Sequence, residues 1–324
     1  MNARSLRPRL PAALQLALVL ALGLALPARA QLLDDPPPER RLVFSSLFAF
    51  RYNPLGLSEA ASLFLRQRLF LSHELALQDN FVALGAIAQV SPASARVGAQ
   101  LEVQPLTVLK LYASAEVITW FGNFKALAAF PSATSDTSDA AFDRLGSLPP
   151  DQQNHAATGS QLTFGADVQF KVGPIAVRNA FQLARIRFPL PAGDRVFYDP
   201  YNDVVLGSPG TLLLNDLDVL YLSDHGLTVG LQWSWQDARL TAAQFAPGED
   251  TTDPNSPTHR IGPLVAYKLF THPGQWLTSP TVFLLAQTWL KHRYRTGAET
   301  SQAVPFVALG IAFWGDLLPL ERSP

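Results

Sequence analysis

The chain has 324 residues, 48% of them hydrophobic and 16% charged, with no Cys, one Met and a formal net charge of −1. That hydrophobic content excludes a disordered chain, the lack of Cys excludes a disulfide-stapled one, and the balanced charge gives no electrostatic footprint for nucleic acid. No nucleic-acid partner is expected.

The N-terminus opens with Arg4, Arg7 and Arg9, continues through an apolar run from Ala12 to Leu26, and closes on Ala28-Arg29-Ala30. A basic start, a short apolar core and a small-x-small site predict a secretory signal peptide over residues 1–30. Its removal takes away four arginines and leaves the mature chain at a net charge of −5. Residues 31–41 follow as a short N-terminal periplasmic segment, too short for a plug domain. Beyond it no apolar stretch reaches the roughly 18 residues of a membrane helix, since even Leu106 to Trp120 carries Lys110 and Glu116. A closed β-barrel is the other backbone that satisfies all its polar groups inside a bilayer.

From residue 42 onward the sequence alternates apolar and polar residues in segments of about ten. In chain order the predicted strands are 42–52, 63–72, 80–90, 96–104, 107–119, 161–172, 175–187, 211–222, 227–236, 260–270, 281–291 and 303–313. The clearest is Gln161 to Val172, which sorts Leu162, Phe164, Ala166, Val168 and Phe170 against Gln161, Thr163, Asp167, Gln169 and Lys171. Ten residues, tilted, project to about 25 Å, the height of an outer-membrane apolar band. The expected fold is all-β: a transmembrane antiparallel up-and-down β-barrel of about twelve strands over 42–314, with 315–324 as a C-terminal periplasmic tail.

The connections alternate in length. Gly173-Pro174 and Ser223-Asp224-His225-Gly226 read as tight turns, whereas 53–61, 121–158, 188–210, 237–258 and 292–302 read as long extracellular loops; Ser91-Pro92-Ala93-Ser94 is the short exception. Tyr52, Trp120, Trp233, Trp235 and Trp289 fall at the predicted outer strand ends and Tyr221, Tyr267, Trp276 and Phe313 near the inner ends, as two interfacial girdles would. On these features residues 42–314 resemble the bacterial outer-membrane β-barrel class, without a specific family. One departure is that Phe313-Trp314 are followed by ten further residues, where such barrels usually finish on an aromatic residue read by the assembly machinery. The resemblance implies a Gram-negative outer-membrane location after signal-peptide cleavage, with outer-membrane lipid and the barrel assembly machinery as partners.

Strand parity also sets the candidate pore lining. The inward set holds nine cations, Arg51, Arg66, Arg68, Arg96, Lys110, Lys171, Arg178, Arg260 and Lys268, against five anions, Glu102, Glu116, Asp167, Asp216 and Asp218. A positive ring in a confined pore concentrates anions. In a barrel this narrow, Arg66 and Arg68 pairing with Glu102 or Glu116 would instead fill the interior. The loop 188–210 sets Phe197, Tyr198 and Tyr201 among carboxylates, a weak candidate for binding a sugar or a cation, with packing against the barrel wall as the plainer role.

The expected function is passage of small, anionic solutes, and the small-molecule solute is a further partner. The alternatives are a filled structural or adhesion barrel and a lipid-directed enzyme at the outer rim. The chain resembles outer-membrane phospholipases and lipid A deacylases in size and strand number, with His155, His259, His292, Ser160 and Ser301 near that rim. Neither a cofactor nor a metal is expected: Asp136, Asp139 and Asp143, or Glu249, Asp250 and Asp253, do not follow an EF-hand spacing.

Overall fold

Period-2 alternation gives each strand one apolar and one polar face, and twelve such strands bury their backbone groups by closing into a single antiparallel barrel. The computed structural model describes residues 37–124, 127–149, 155–271, 277–296 and 305–317. The predicted signal peptide, most of the segment after it, Trp276, Ser301 and the tail beyond residue 317 lie outside these.

The strands, in chain order, are β1 (Arg40–Tyr52), β2 (Gly56–Arg68), β3 (Phe81–Val90), β4 (Ser94–Leu106), β5 (Leu109–Trp120), β6 (Ala129–Phe130), β7 (Ala157–Val172), β8 (Ile175–Arg187), β9 (Val196–Asp199), β10 (Val204–Gly207), β11 (Gly210–Leu222), β12 (Leu227–Arg239), β13 (Thr258–Lys268), β14 (Thr278–Lys291) and β15 (Phe306–Asp316). All but β6, β9 and β10 form the barrel, each paired to its neighbour in sequence, with β15 returning to β1. Beside that seam the Arg41 guanidinium forks onto the Asp316 carboxylate at 2.9 and 3.0 Å. The last strand therefore runs past residue 314 and takes in Gly315 and Asp316.

The outer surface is an apolar belt: Leu65, Leu84, Val97, Phe164, Leu231 and Leu309 all stand exposed. Among the described residues no helix is long and apolar enough to cross a membrane. Inside, the wall closes around bulky side chains by means of glycine. Gly165 lies opposite Tyr112, and a Cβ there would sit 2.1 Å from the phenol ring.

Two predicted boundaries need correction. The expected strand at 63–72 is β2 at Gly56–Arg68, and the expected outer loop 53–61 shrinks to a tight turn in which Asn53 takes a left-handed φ of 60°. Ser58-Glu59-Ala60-Ala61-Ser62 reads as a polar loop but is a strand whose outward Glu59 accepts a hydrogen bond from Ser46 on β1. Conversely, the apolar Leu69-Phe70-Leu71 lies beyond the strand. The Asn80 side chain binds that turn, accepting from the Leu69 and Phe70 amides at 3.0 and 2.9 Å.

Two of the predicted girdle residues also turn inward. Trp120 and Trp289 are buried in the lumen, whereas Tyr52, Tyr221 and Tyr267 do face outward.

Candidate functional site: the capped lumen

The long connections 121–156, 188–209, 240–257 and 292–305 all leave one end of the barrel, and three of them fold together as a cap. Its centre is the hairpin β9–β10, extended by β6, which pairs Ala129 with Phe197 and Phe130 with Val196. The short helix α1 (Asp139–Leu145) packs Phe142 against Tyr198 at 4.7 Å between ring centroids. Arg293, Tyr294 and Arg295 tie the last loop to the rest. Arg293 donates to the Thr134 carbonyl at 3.1 Å, the Tyr294 hydroxyl accepts the Thr137 amide at 3.2 Å, and Arg295 reaches Asp139 at 2.6 Å.

The hairpin enters the mouth of the barrel. Phe197, Tyr201, Val204 and Leu206 pack against the inward Trp120, Ile186, Leu212, Leu214 and Ala238, all of them buried. The Tyr201 hydroxyl bonds to Ser94 Oγ, and its ring lies 5.1 Å from that of Trp120. Phe197 and Tyr198 thus serve as packing inside the cap, and Tyr201 is the one of the three predicted aromatics that lines a cavity within the barrel. That cavity, about 30 Å³, is bounded by Arg96, Gln161, Gln182, Asp199, Tyr201 and Asn202, among others, and has room for about one water.

The carboxylates of the hairpin turn have opposite surroundings. Asp203, at a left-handed φ of 53°, accepts from the Tyr198 hydroxyl at 2.6 Å and faces Arg295 and His292 at 3.3 Å each. Burial pushes its pKa up, but the Arg295 guanidinium, His292 and the hydrogen bonds outweigh it and hold the carboxyl well below the usual range. Asp199 accepts only from the Tyr201 amide at 2.8 Å and Asn202 Nδ2 at 2.7 Å. It makes no salt bridge among the described residues, and burial raises its pKa. The buried His292 ring has its pKa lowered by burial, with Asp203 opposing.

Below the cap the predicted inward residues do face the lumen, and most of them are paired. Across adjacent walls run Arg66–Glu102 at 3.5 Å, Glu102–Lys110 at 4.0 Å, Lys110–Asp167 at 3.1 Å, Asp167–Arg178 at 3.2 Å and Arg178–Asp218 at 3.3 Å. Gln232 continues the chain to Asp218 at 2.7 Å, and Gln287 follows it to Gln232. Arg96 separately pairs with Glu116 at 2.9 Å, and the buried Asp216 lies within the field of Arg260. Arg68, Lys171 and Lys268 stand at the far end of the barrel, where Arg68 donates to the Pro37 carbonyl at 2.6 Å. Under the charged band an apolar cluster of Leu47, Leu220, Leu264, Phe283, Leu285 and Phe306 spans the lumen from β1 to β11, β13, β14 and β15.

Three inward arginines stand apart from the band. Arg51 is fully buried, donates from Nη2 to the Pro200 carbonyl at 2.6 Å, and leaves Nε and Nη1 without a hydrogen-bond partner among the described residues. Arg260 leaves the same two atoms unpartnered and lies over the rings of Phe306 and Trp289 at 4.4 and 5.4 Å. Arg96, beneath the Tyr201 ring, leaves Nη2 unpartnered. Parity in the sequence placed all three inward, but nothing in the sequence showed that a loop would descend onto them.

The residues considered for catalysis at the rim do not converge. His155 is exposed near the Pro189 carbonyl, His259 faces outward beside Trp233, and Ser160 stands in an outward row on β7. Both ring nitrogens of His292 are engaged, Nδ1 by the Tyr294 amide and Nε2 by Asp203. Of the acidic loop residues, Asp136 pairs with Arg144 and Asp139 with Arg295, while Glu249 accepts from Ser132 and Thr134.

No family model matches the chain, and no curated protein matches it. Among solved structures it is similar to the KdgM porin, at 7% identity over 85% of this chain and 99% of that one, TM-score 0.35. It is also similar to the Acinetobacter baumannii outer membrane protein Omp33, at 11% identity over 86% and 99%, TM-score 0.35. A third is the translocator domain of the autotransporter NalP from Neisseria meningitidis, at 8% identity over 91% and 94%, TM-score 0.41. The likeness is one of architecture.

Proposed function

We propose that the protein is an outer-membrane channel for small anionic solutes, closed in this conformation by the β9–β10 hairpin. The reading rests on one observation: three lumen arginines, Arg51, Arg96 and Arg260, keep guanidinium N–H groups without a partner among the described residues, and the hairpin lies directly on two of them, Arg51 through Pro200 and Arg96 through Tyr201. Buried donors of this kind are rare and costly, and an anion in the pore is a ligand that matches them. The apolar belt supports the membrane location, and the loop-rich end is the extracellular one by analogy with barrels of this architecture. The hairpin is held by discrete polar contacts, Arg51 to Pro200, Ser94 to Tyr201 and Asp203 to His292 and Arg295, which can part as a unit.

Planar-bilayer recordings compare the full chain with a variant in which residues 196–207 are replaced by a Gly-Ser linker, folding being checked by heat-modifiable migration. The native protein should show rare, small openings. The variant should show sustained stepwise conductance with an anion-directed reversal potential, shifted toward cations by Arg51→Gln with Arg260→Gln. The apolar cluster across the lower lumen favours a second reading, a filled barrel with no conducting path. A folded linker variant that passes no current would establish that reading instead.

A further inference from the structure

The outward face carries a charge asymmetry unconnected with the lumen. At the cap end of four strands of one sector, β8, β12, β13 and β14, with β11 between the first two, stand Arg185, Arg187, Arg239, His259 and Lys291. In register, Thr211 lies between Arg185 and Arg239, while His259 lies between Trp235 and Lys291. These residues therefore form an arc in two steps, Arg185 and Arg239 in one row and His259 and Lys291 in a second row four residues deeper along β12. Arg185, Arg187 and Lys291 are exposed and make no ion pair among the described residues, and Arg239, though paired with Asp237 at 2.8 Å, has a side chain 60% exposed.

The arc borders the apolar belt directly. Arg185 lies opposite the exposed Leu162 on β7, and the next outward residues below it on β8 and β11 are Leu183 and Leu213. Elsewhere the outward level holds no cation, and its one charge beyond the arc is Glu59, which accepts from Ser46 and lies opposite Val90. On the opposite half of the wall the matching positions are Tyr52, Val90, Val97 and Thr119, and at the far end of the barrel the one charged outward strand residue described is Arg40, bonded to Gln67.

We propose that this arc is a docking surface for phosphate-bearing lipid headgroups of the leaflet on the cap side. A guanidinium at the edge of an apolar belt meets a headgroup phosphate where the dielectric is falling, and its planar fork binds phosphate oxygens in pairs. Trp233 and Trp235, outward on β12 in the same sector, set the depth at which the boundary lies. The arc rests on the membrane reading given above but not on the lumen being a conducting path.

The test uses the full chain in mixed micelles, titrated with dioleoyl phosphatidic acid, with phosphatidylcholine, and with inorganic phosphate, lipid retention being read by native mass spectrometry. Phosphatidic acid should be retained over phosphatidylcholine, and Arg185→Gln with Arg187→Gln should weaken that retention by about tenfold or more. Arg185→Lys with Arg187→Lys should keep most of it, and Arg144→Gln, a cation exposed on the cap and away from the belt, should leave it unchanged. Equal retention by the Gln pair and the native protein overturns the proposal, as does full displacement of the lipid by inorganic phosphate, which would mark a site for the free ion. Insertion into vesicles of both lipids without selective retention sinks the docking surface alone, whereas failure to insert into either sinks the membrane reading as well.

Discussion

The two sides of the lumen treat buried charge in opposite ways. From β2 through β4, β5, β7, β8 and β11 the cations of the band, Arg66, Lys110 and Arg178, each face an anion on another strand, so that Glu102, Asp167 and Arg178 each serve two partners or more. On β1 and β13, Arg51 and Arg260 have carbonyl, aromatic and more distant carboxylate neighbours but no salt bridge among the described residues. The excess of positive charge counted along the inward faces is thus not spread around a ring: pairing cancels it along one side and leaves the rest at the two ends, Arg51 and Arg260 beneath the hairpin and Arg68, Lys171 and Lys268 at the far end. Charge counted by parity says how many cations line a pore, and only the pairing says where an anion would feel them.

That difference is broken most sharply by removing one arginine from each side. Arg178→Met leaves Asp218 buried without its cation and Asp167 with Lys110 alone, and should cost about 3 to 5 kcal/mol of barrel stability. Arg260→Met removes a charge that no carboxylate pairs directly and replaces it with a flexible apolar chain between Trp289 and Phe306, so its effect should be near zero or stabilising. Urea titration of each variant refolded into lipid vesicles gives both midpoints. Equal losses would show that the two sides are the same kind of structure and that the unpartnered donors of Arg260 carry no special cost.

Much of this was legible from the sequence because a barrel of this kind writes its fold in parity. Half of the charges that parity sets inward, Arg51, Glu102, Asp167, Arg178, Asp216, Asp218 and Arg260, are buried, since one residue of slip would have turned all of a strand's apolar side chains into the lumen. Parity fails where outward polar residues are locally satisfied, as at Glu59 with Ser46, and where apolar residues belong to a turn, as at Leu69 to Leu71. It also says nothing of a long loop's destination. The cap is set by contacts far apart in sequence, Asn255 to the Ala133 carbonyl or Arg295 to Asp139, for which no local pattern exists.

The cap should respond to acid in a way the charged band does not. Burial lowers the His292 pKa below its ordinary value of about 6.5, so the closed cap holds the neutral ring, with Asp203, Arg295 and Arg260 as its charged neighbours. A group favoured neutral in the folded state contributes fully above its unfolded pKa, and that contribution is lost as pH falls from about 6.5 toward the folded value. Asp203, held low chiefly by Arg295 once its own burial cost is overcome, adds a second loss that begins only below the ordinary carboxylate range near pH 4. Measured against the intrinsic exchange rate at each pH, protection of the amides across 196–207 should therefore be lower at pH 5 than at pH 7.5, while protection in β7 and β8 stays high at both. In His292→Gln the difference in protection between the two pH values should vanish. If the hairpin is equally protected at both pH values in the native protein, His292 is not part of what holds the cap.

The smallest effect is expected where the same chemistry stands in water. Arg144 and Asp136 on the cap surface approach to 2.8 Å, closer than Arg178 approaches Asp167 or Asp218, yet their side chains are 68% and 50% exposed. Solvent and salt screen such a pair, and holding two mobile side chains together costs entropy, so Arg144→Gln should change stability by no more than about 0 to 1 kcal/mol. What it changes should diminish further between 50 and 500 mM salt, whereas the Arg178→Met loss should hold across the same range because water and ions do not reach the lumen pair. Distance alone would rank these pairs in the reverse order. A loss at Arg144 as large as that at Arg178 would mean that the cap surface, rather than the lumen band, carries the electrostatic stability of the barrel.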